Sequence, residues 1–328
     1  MKPIHHLLSH TVLGLGIAAA ATAAYAQDPA WPAQSITLIV SSAAGGTTDM
    51  AARMISDPLS KALGKPVVVD NRSGGSGAIA GSAVKRAKPD GYTLLVQYSG
   101  YQVVTPHLMK LPFDPVKDFA PVANLLVAPQ VIVVRPEIPV KTLPELVNYA
   151  KAHPGKLSYA SSGNGSLQHV TGEMIRHLTQ AEITHVPYKG TGPAITDLLG
   201  GNVDMTFTTA PPLISHIKTG KLRPLAITGD VALATFPAVP TTSSIKGFEK
   251  LDVSSWFAVY APAGTPKPIV DRLTTEIGKI MQTAEFKSKA EAQGAYAVYM
   301  NPKELGDYTA KEFQSWGKFV KEAKITGE

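Results

Sequence analysis

Apolar and polar positions along the chain switch repeatedly between two periods. Residues 35–40 (SITLIV) form a short apolar run, the pattern of a buried strand. A small polar segment follows at 41–49. A helical pattern then runs through Met50, Arg53, Met54, Leu59 and Leu63 until Gly64 stops it. Pro66 restarts extension, and 67–69 reads as the next strand. The unit is strand–loop–helix–strand, and it recurs. The pattern predicts helices over 77–87, 143–152, 165–178 and 192–199. It predicts strands over 92–96, 131–134, 157–160, 183–186 and 203–207. An apolar extended stretch returns at 256–260, and two helices, 266–283 and 302–324, close the chain.

Alternation of this kind builds parallel or mixed sheets with helices on both faces, an α/β fold. The grammar breaks near Pro121 and again before the stretch at 256–260. The expected architecture is therefore two lobes: lobe 1 from 31–125 plus 250–328, and an inserted lobe 2 from 126–249. Two chain crossings, near 121–131 and 240–255, would form the hinge. A chain of 328 residues is comfortable for two such lobes.

Composition sharpens this picture in three places. Hydrophobic residues are 44% and charged residues 17%, which is globular rather than disordered. The net charge of +6 is spread out, with no basic run and no basic–aromatic stripe, so nucleic acid is not an expected partner. The mild positive field favours an anionic solute. Cysteine is absent, which excludes disulfides, thiol nucleophiles and Cys-based metal sites. At the N-terminus, Lys2 precedes an apolar run at 11–23 and the small-residue site Ala24-Tyr25-Ala26. That is a signal peptide, 1–26, with cleavage expected before Gln27 and export to the periplasm. The run is too short to span a bilayer comfortably.

Two loops carry candidate chemistry. The first joins a strand to a helix through Ser41, Ala44, Gly45, Gly46, Thr47 and Asp49. Its glycines permit close backbone approach, and the helix start beyond them offers unpaired N–H groups to a carboxylate. The second, Ser161, Ser162, Gly163, Asn164, Gly165 and Ser166, repeats the arrangement in the other expected lobe, with His169 in the first helical turn. Each could equally be an ordinary tight connection, and His169 an ordinary structural histidine. Tyr98, Ser99, Tyr188, Thr191 and Thr208 fall at strand ends or loops expected to rim a cleft, and Asp204 is an acid that could face it. Enzyme signatures are missing: no H-E-x-x-H, G-x-S-x-G or G-x-G-x-x-G occurs. Gly74-Gly75-Ser76-Gly77 lacks the rest of a phosphate-binding fingerprint. No metal-ligand spacing and no cofactor motif are found.

The ordered segments Ala43-Ala44-Gly45-Gly46-Thr47-Thr48-Asp49, Val69-Asp70-Asn71-Arg72 and Ala87-Lys88-Pro89-Asp90-Gly91-Tyr92-Thr93 carry a resemblance. So do Leu111-Pro112-Phe113-Asp114-Pro115, His185-Val186-Pro187-Tyr188-Lys189-Gly190 and Ala261-Pro262-Ala263-Gly264-Thr265-Pro266. From Trp31 onward the chain resembles the Bug-type solute receptors, the binding components of tripartite tricarboxylate transporters. The resemblance implies a two-lobed periplasmic binding protein fold of type II-like form and no catalysis. It implies a small organic acid ligand, held by the two loops as a pincer, and delivery to membrane permease subunits. Gln97-Tyr98-Ser99-Gly100-Tyr101 departs from the family's small Ser, Thr and His residues, so the expected ligand is a mono- or dicarboxylate, with an aromatic acid open if Tyr98 faces the cleft. The receptor is expected to act as a monomer. The alternatives are a sensor domain presenting the same ligand to a signalling partner, and a hydrolase or isomerase using a cleft acid.

Overall fold

The structure is a computed structural model that describes residues 31–327. The leader and its cleavage before Gln27 lie outside the described residues. Ten strands and nine α-helices are found among the described residues. In order, they begin β1 (Ile36–Val40), α1 (Thr47–Leu63), β2 (Val67–Asn71), α2 (Ala78–Lys85), β3 (Thr93–Tyr98) and β4 (Phe119–Val134). There follow α3 (Leu143–Ala152), β5 (Leu157–Ser161), α4 (Leu167–Thr179), β6 (Ile183–Pro187), α5 (Thr191–Leu199) and β7 (Met205–Thr209). The chain ends with α6 (Ile214–Lys218), β8 (Arg223–Ile227), β9 (Ser254–Pro262), α7 (Lys267–Gln282), α8 (Ala284–Ala292), β10 (Tyr296–Met300) and α9 (Pro302–Glu322).

The strands form two sheets that share β4. The first runs β2-β1-β3-β9-β4-β10, parallel among β2, β1 and β3 and antiparallel at β9 and beyond. The second runs β6-β5-β7-β4-β8, parallel among β6, β5 and β7. Phe119 to Pro129 of β4 pair with β9, and Gln130 to Val134 pair with β7 and β8. The strand therefore passes from one lobe into the other. The return passes beside it: Gln130 N–H donates to Thr228 Oγ1 at 2.9 Å, Thr228 N–H donates to Gln130 O at 2.9 Å, and Thr228 Oγ1 donates to Val253 O at 2.6 Å.

β4 is the largest departure from the sequence pattern, which places a strand only over 131–134. Proline removes a ladder donor and so reads as a strand end. Here Pro121 sits beside a register shift against β9, and Pro129 is the last residue paired in the first sheet. Both occupy places where the ladder is already interrupted. The short elements α6, β8, α8 and β10 are also absent from the pattern. The helix expected from 77 starts at Ala78, because residues 74–77 all have positive φ (113°, 56°, 48° and 86°). Each sheet is covered by helices through apolar packing. In the second lobe, Val131, Val133, Ala160, Leu198, Leu213 and Ile227 form a core that α5 and α6 close off.

Candidate functional site

The two sheets place the C-terminal ends of β1 and β3 opposite those of β5 and β7, with a cavity between them. Its walls come from both lobes: Ser42, Ala43, Gly46, Thr47, Thr48, Tyr98, Tyr101, Ser255 and Phe257 on one side. On the other are Ser162, Gln168, Gly190, Thr191, Gly192, Thr208 and Thr209, with Gln130 from the crossing strand. No Asp, Glu, Lys, Arg or His lines it. The cavity volume is about 40 Å³, so the lobes meet closely around it.

Two helices begin at this cavity without a capping side chain. At α1 the N-cap is Gly46, and at α5 it is Gly190 with φ of 130°. Such starts leave first-turn N–H groups and the positive end of the helix dipole available. Gly190 is favoured by its φ, which disfavours a side chain; an added Cβ would lie in ordinary contact, 3.9 Å from the Ala43 Cβ of the opposite loop. The two helix starts thus approach each other across the cleft.

Asp49 does not enter the cavity. Its Oδ2 accepts from Gly45 N–H at 3.0 Å, and its carboxylate takes Arg53 Nε and Asn71 Nδ2, each at 3.0 Å. Burial alone would raise its pKa. The hydrogen bonds from Arg53, Gly45 and Asn71 outweigh burial and hold the group below the usual carboxylate range. Asp49 therefore fixes the loop from behind, while Thr47 and Thr48 line the cavity.

The second loop is placed differently from the first. Ser166 caps α4 by accepting from His169 N–H, Leu167 N–H donates to Tyr98 Oη, and Ser162 N–H donates to Gln168 Oε1. Gly163 N–H donates to Ser161 Oγ and Gly165 N–H to His169 Nδ1. Its donors are largely consumed, and only Ser162 of this loop lines the cavity. Instead the loop ties the lobes together. Ser76 Oγ donates to Asn164 O at 2.8 Å, Thr105 Oγ1 to Gly165 O at 3.0 Å and Tyr101 Oη to Ser162 O at 3.2 Å. Thr47 and Thr209 hydroxyls meet at 2.6 Å.

Of the residues singled out from the sequence, Gly46, Thr47, Tyr98, Ser162, Thr191 and Thr208 line the cavity. The others lie elsewhere. Ser41 is buried behind the loop, and Ala44 and Gly45 are exposed on its outer side. Ser99 Oγ accepts from Trp256 N–H. Tyr188 Oη donates to Asp197. Asp204 is held by Arg135 at 2.9 Å and by Ser158, at the opposite end of β5 from the cavity. His169 stacks on His185 with centroids 4.2 Å apart. Tyr101, raised with Tyr98 as a ring that could face the cleft, also lines the cavity, whereas Gln130, Gln168, Thr209, Ser255 and Phe257 were not reached from the sequence. The Gly190-Thr191-Gly192 helix start carried a readable signal, since it repeats the strand–glycine–helix grammar of the first loop.

The histidine pair gives a pH prediction. Burial pushes His185 down to about 3 and lowers His169 as well. Burial keeps both imidazoles neutral to lower pH in the folded protein than in the unfolded chain. Below the unfolded value of about 6.5 the unfolded chain binds protons that the folded chain refuses. The stability this contributes is full above that value and is lost as pH falls toward 3. His185→Asn should therefore flatten the acid side of a urea-unfolding stability profile between pH 6.5 and 4. An unchanged slope would contradict it.

The family model described as tripartite tricarboxylate transporter family receptor matches residues 51–325. The chain is 37% identical over 313 residues to Protein BugT of Bordetella pertussis, covering 95% of this chain and 96% of that one. A solved structure of the periplasmic binding protein BugD superposes with a TM-score of 0.86 at 32% identity, covering 91% of this chain and all of that one. R. palustris Rpa4515 with adipate superposes at 0.87 and 34% identity, covering 90% and 99%. By sequence over most of its length and by the two-lobed fold, the chain belongs to the tripartite tricarboxylate transporter receptor family, the solute-binding receptors of the periplasm.

Proposed function

We propose that the cavity holds a small carboxylic acid, with one carboxylate pinched between the starts of α1 and α5. The observation that carries this is the convergence of two uncapped helix N-termini on a cavity without an ionised side chain. Backbone N–H groups and threonine hydroxyls supply the donors, and the helix dipoles supply the positive potential. A receptor 34% identical was solved with adipate, which fits the same chemistry. Neither an ammonium group nor a second strong cation finds a carboxylate partner among the lining residues. The Tyr98, Tyr101 and Phe257 rings form the apolar wall on which the carbon skeleton lies.

Closure belongs to the same proposal. The hinge is the crossing of β4 at Pro129 and Gln130 with the return at Thr228 and Val253, and lobes 1 and 2 rotate about it to trap the acid. The closed receptor then delivers the acid to membrane permease subunits of a tripartite tricarboxylate transporter, acting as a monomer without chemistry on its ligand. The leader is removed between Ala26 and Gln27, which mass spectrometry of the periplasmic protein would read as a new N-terminus at Gln27. A main species retaining Met1 would refute the site.

The ligand class is tested by thermal shift with malate, succinate, adipate and benzoate beside glucose and lysine. A solute that binds only the folded protein at 100 times its Kd adds about 2.7 kcal/mol. At least one acid should raise the melting temperature by several degrees, and glucose and lysine should not. A shift with lysine or glucose alone would remove the carboxylate reading.

A further inference from the structure

We infer that Gln168 is a positioning residue that fixes the threonine hydroxyls of the cavity as donors, which makes this wall selective for a hydrogen-bond acceptor. The inference rests on the carboxylate reading of the cavity and assigns how the second lobe enforces it. Gln168 is the second residue of α4 and is 4% exposed. Its amide can be oriented in only one way. Ser162 N–H, a backbone donor, lies 2.9 Å from Oε1, so the oxygen is at that end. Nε2 is then at the other end, 2.9 Å from Thr208 Oγ1 and 3.3 Å from Thr191 Oγ1. A primary amide has two N–H groups, one for each threonine.

Each threonine oxygen therefore spends an acceptor site on Gln168, and each hydroxyl proton must go elsewhere. Among the described residues, neither Thr191 nor Thr208 donates to a protein atom. Both line the cavity, one at the first turn of α5 and one near the end of β7. Their protons are aimed at the occupant. The uncapped first turn of α5 adds backbone N–H groups of the same polarity. A carboxylate oxygen satisfies such a wall. An ammonium group, or a primary amide turned with its NH₂ toward the wall, could use only the one lone pair left on each threonine oxygen and would meet the α5 N–H groups donor to donor, which costs more than a missing contact.

The test is a double-mutant cycle, titrated by calorimetry with the strongest binder among malate, succinate, adipate and benzoate. Gln168→Glu keeps an acceptor for Ser162 N–H and sits at the second position of α4, where a carboxylate suits the helix start. Its second oxygen has no proton to give, so Thr191 and Thr208 turn their hydroxyls toward it and away from the ligand. Thr208→Val should weaken binding about tenfold in the wild type. In the Gln168→Glu background it should change affinity less than twofold, and Thr208→Ser should retain wild-type affinity within threefold. Simple charge repulsion or packing by Gln168 would leave the tenfold cost of Thr208→Val intact in both backgrounds, and that result overturns the inference. If Gln168→Glu does not fold, the same cycle with Gln168→Met should at least halve the cost of Thr208→Val, and an undiminished cost overturns it. If none of the four acids binds wild-type protein, the carboxylate reading falls first, and this inference with it.

Discussion

Ser42→Asp should lower affinity for the strongest binder among malate, succinate, adipate and benzoate by a hundredfold or more, in a protein that remains folded. Ser42 lines the cavity, and its Oγ lies 3.3 Å from where a Cβ on Gly46 would stand, beside the start of α1. A carboxylate placed there reaches the first-turn amides and occupies the anion site from within. Two like charges about 4 Å apart repel by about 4 kcal/mol at an effective dielectric of 20, on the order of a thousandfold in affinity. The helix start stabilises the new acid, so folding is spared. Calorimetric titration of both proteins measures the ratio. Affinity within threefold of wild type would place the ligand carboxylate away from α1.

The second large effect concerns closure. Gly100 lies where lobe 1 touches lobe 2: an added Cβ would come within 2.6 Å of the Tyr98 ring and 3.0 Å of Leu167 N. Tyr98 cannot yield easily, since it is 9% exposed, stacks on Phe257 with centroids 5.9 Å apart and accepts from Leu167 N–H at 3.1 Å. Gly100→Val thus forces the lobes apart at the tyrosine latch, and overpacking of this kind costs about 1–3 kcal/mol. Small-angle scattering at saturating acid should give a smaller radius of gyration for wild type than for its ligand-free form, and little contraction for Gly100→Val. Affinity should fall ten- to a hundredfold. Full contraction in the variant would show that the latch does not govern closure.

These effects also mark what the sequence could and could not convey. The strand–glycine–helix rhythm exposed β1, α1, β5, α4, β6 and α5 because each is a local pattern with its own stop signals. The first loop was legible for the same reason: Gly45 and Gly46 before a helix have a physical meaning by themselves. β4 was not, because its register against β9 is a long-range pairing that lets Pro121 and Pro129 sit inside a continuous strand. Similarly, Gln130 and Gln168 look like any buried or surface glutamine until the fold is known. Gln130 is 1% exposed and lines the cavity from the crossing strand, its Oε1 lies 2.9 Å from the Thr171 hydroxyl, and its Nε2 has no protein partner. Nothing local in the chain announces that. The second loop shows the opposite case. Its composition matches the first, yet Ser166, Gln168, His169 and Tyr98 take up its donors, so identical grammar leads to a latch between lobes rather than a free helix start.

The central claim is that two helix starts, α1 and α5, share one ligand carboxylate. A crystal structure of the complex with the tightest-binding acid of the panel tests it most directly. The account predicts carboxylate oxygens within hydrogen-bonding distance of the first-turn amides of both helices and of the Thr191 and Thr208 hydroxyls. A carboxylate bound instead to the amides of Gly163 to Ser166, with the starts of α1 and α5 contacting no ligand oxygen, would contradict it.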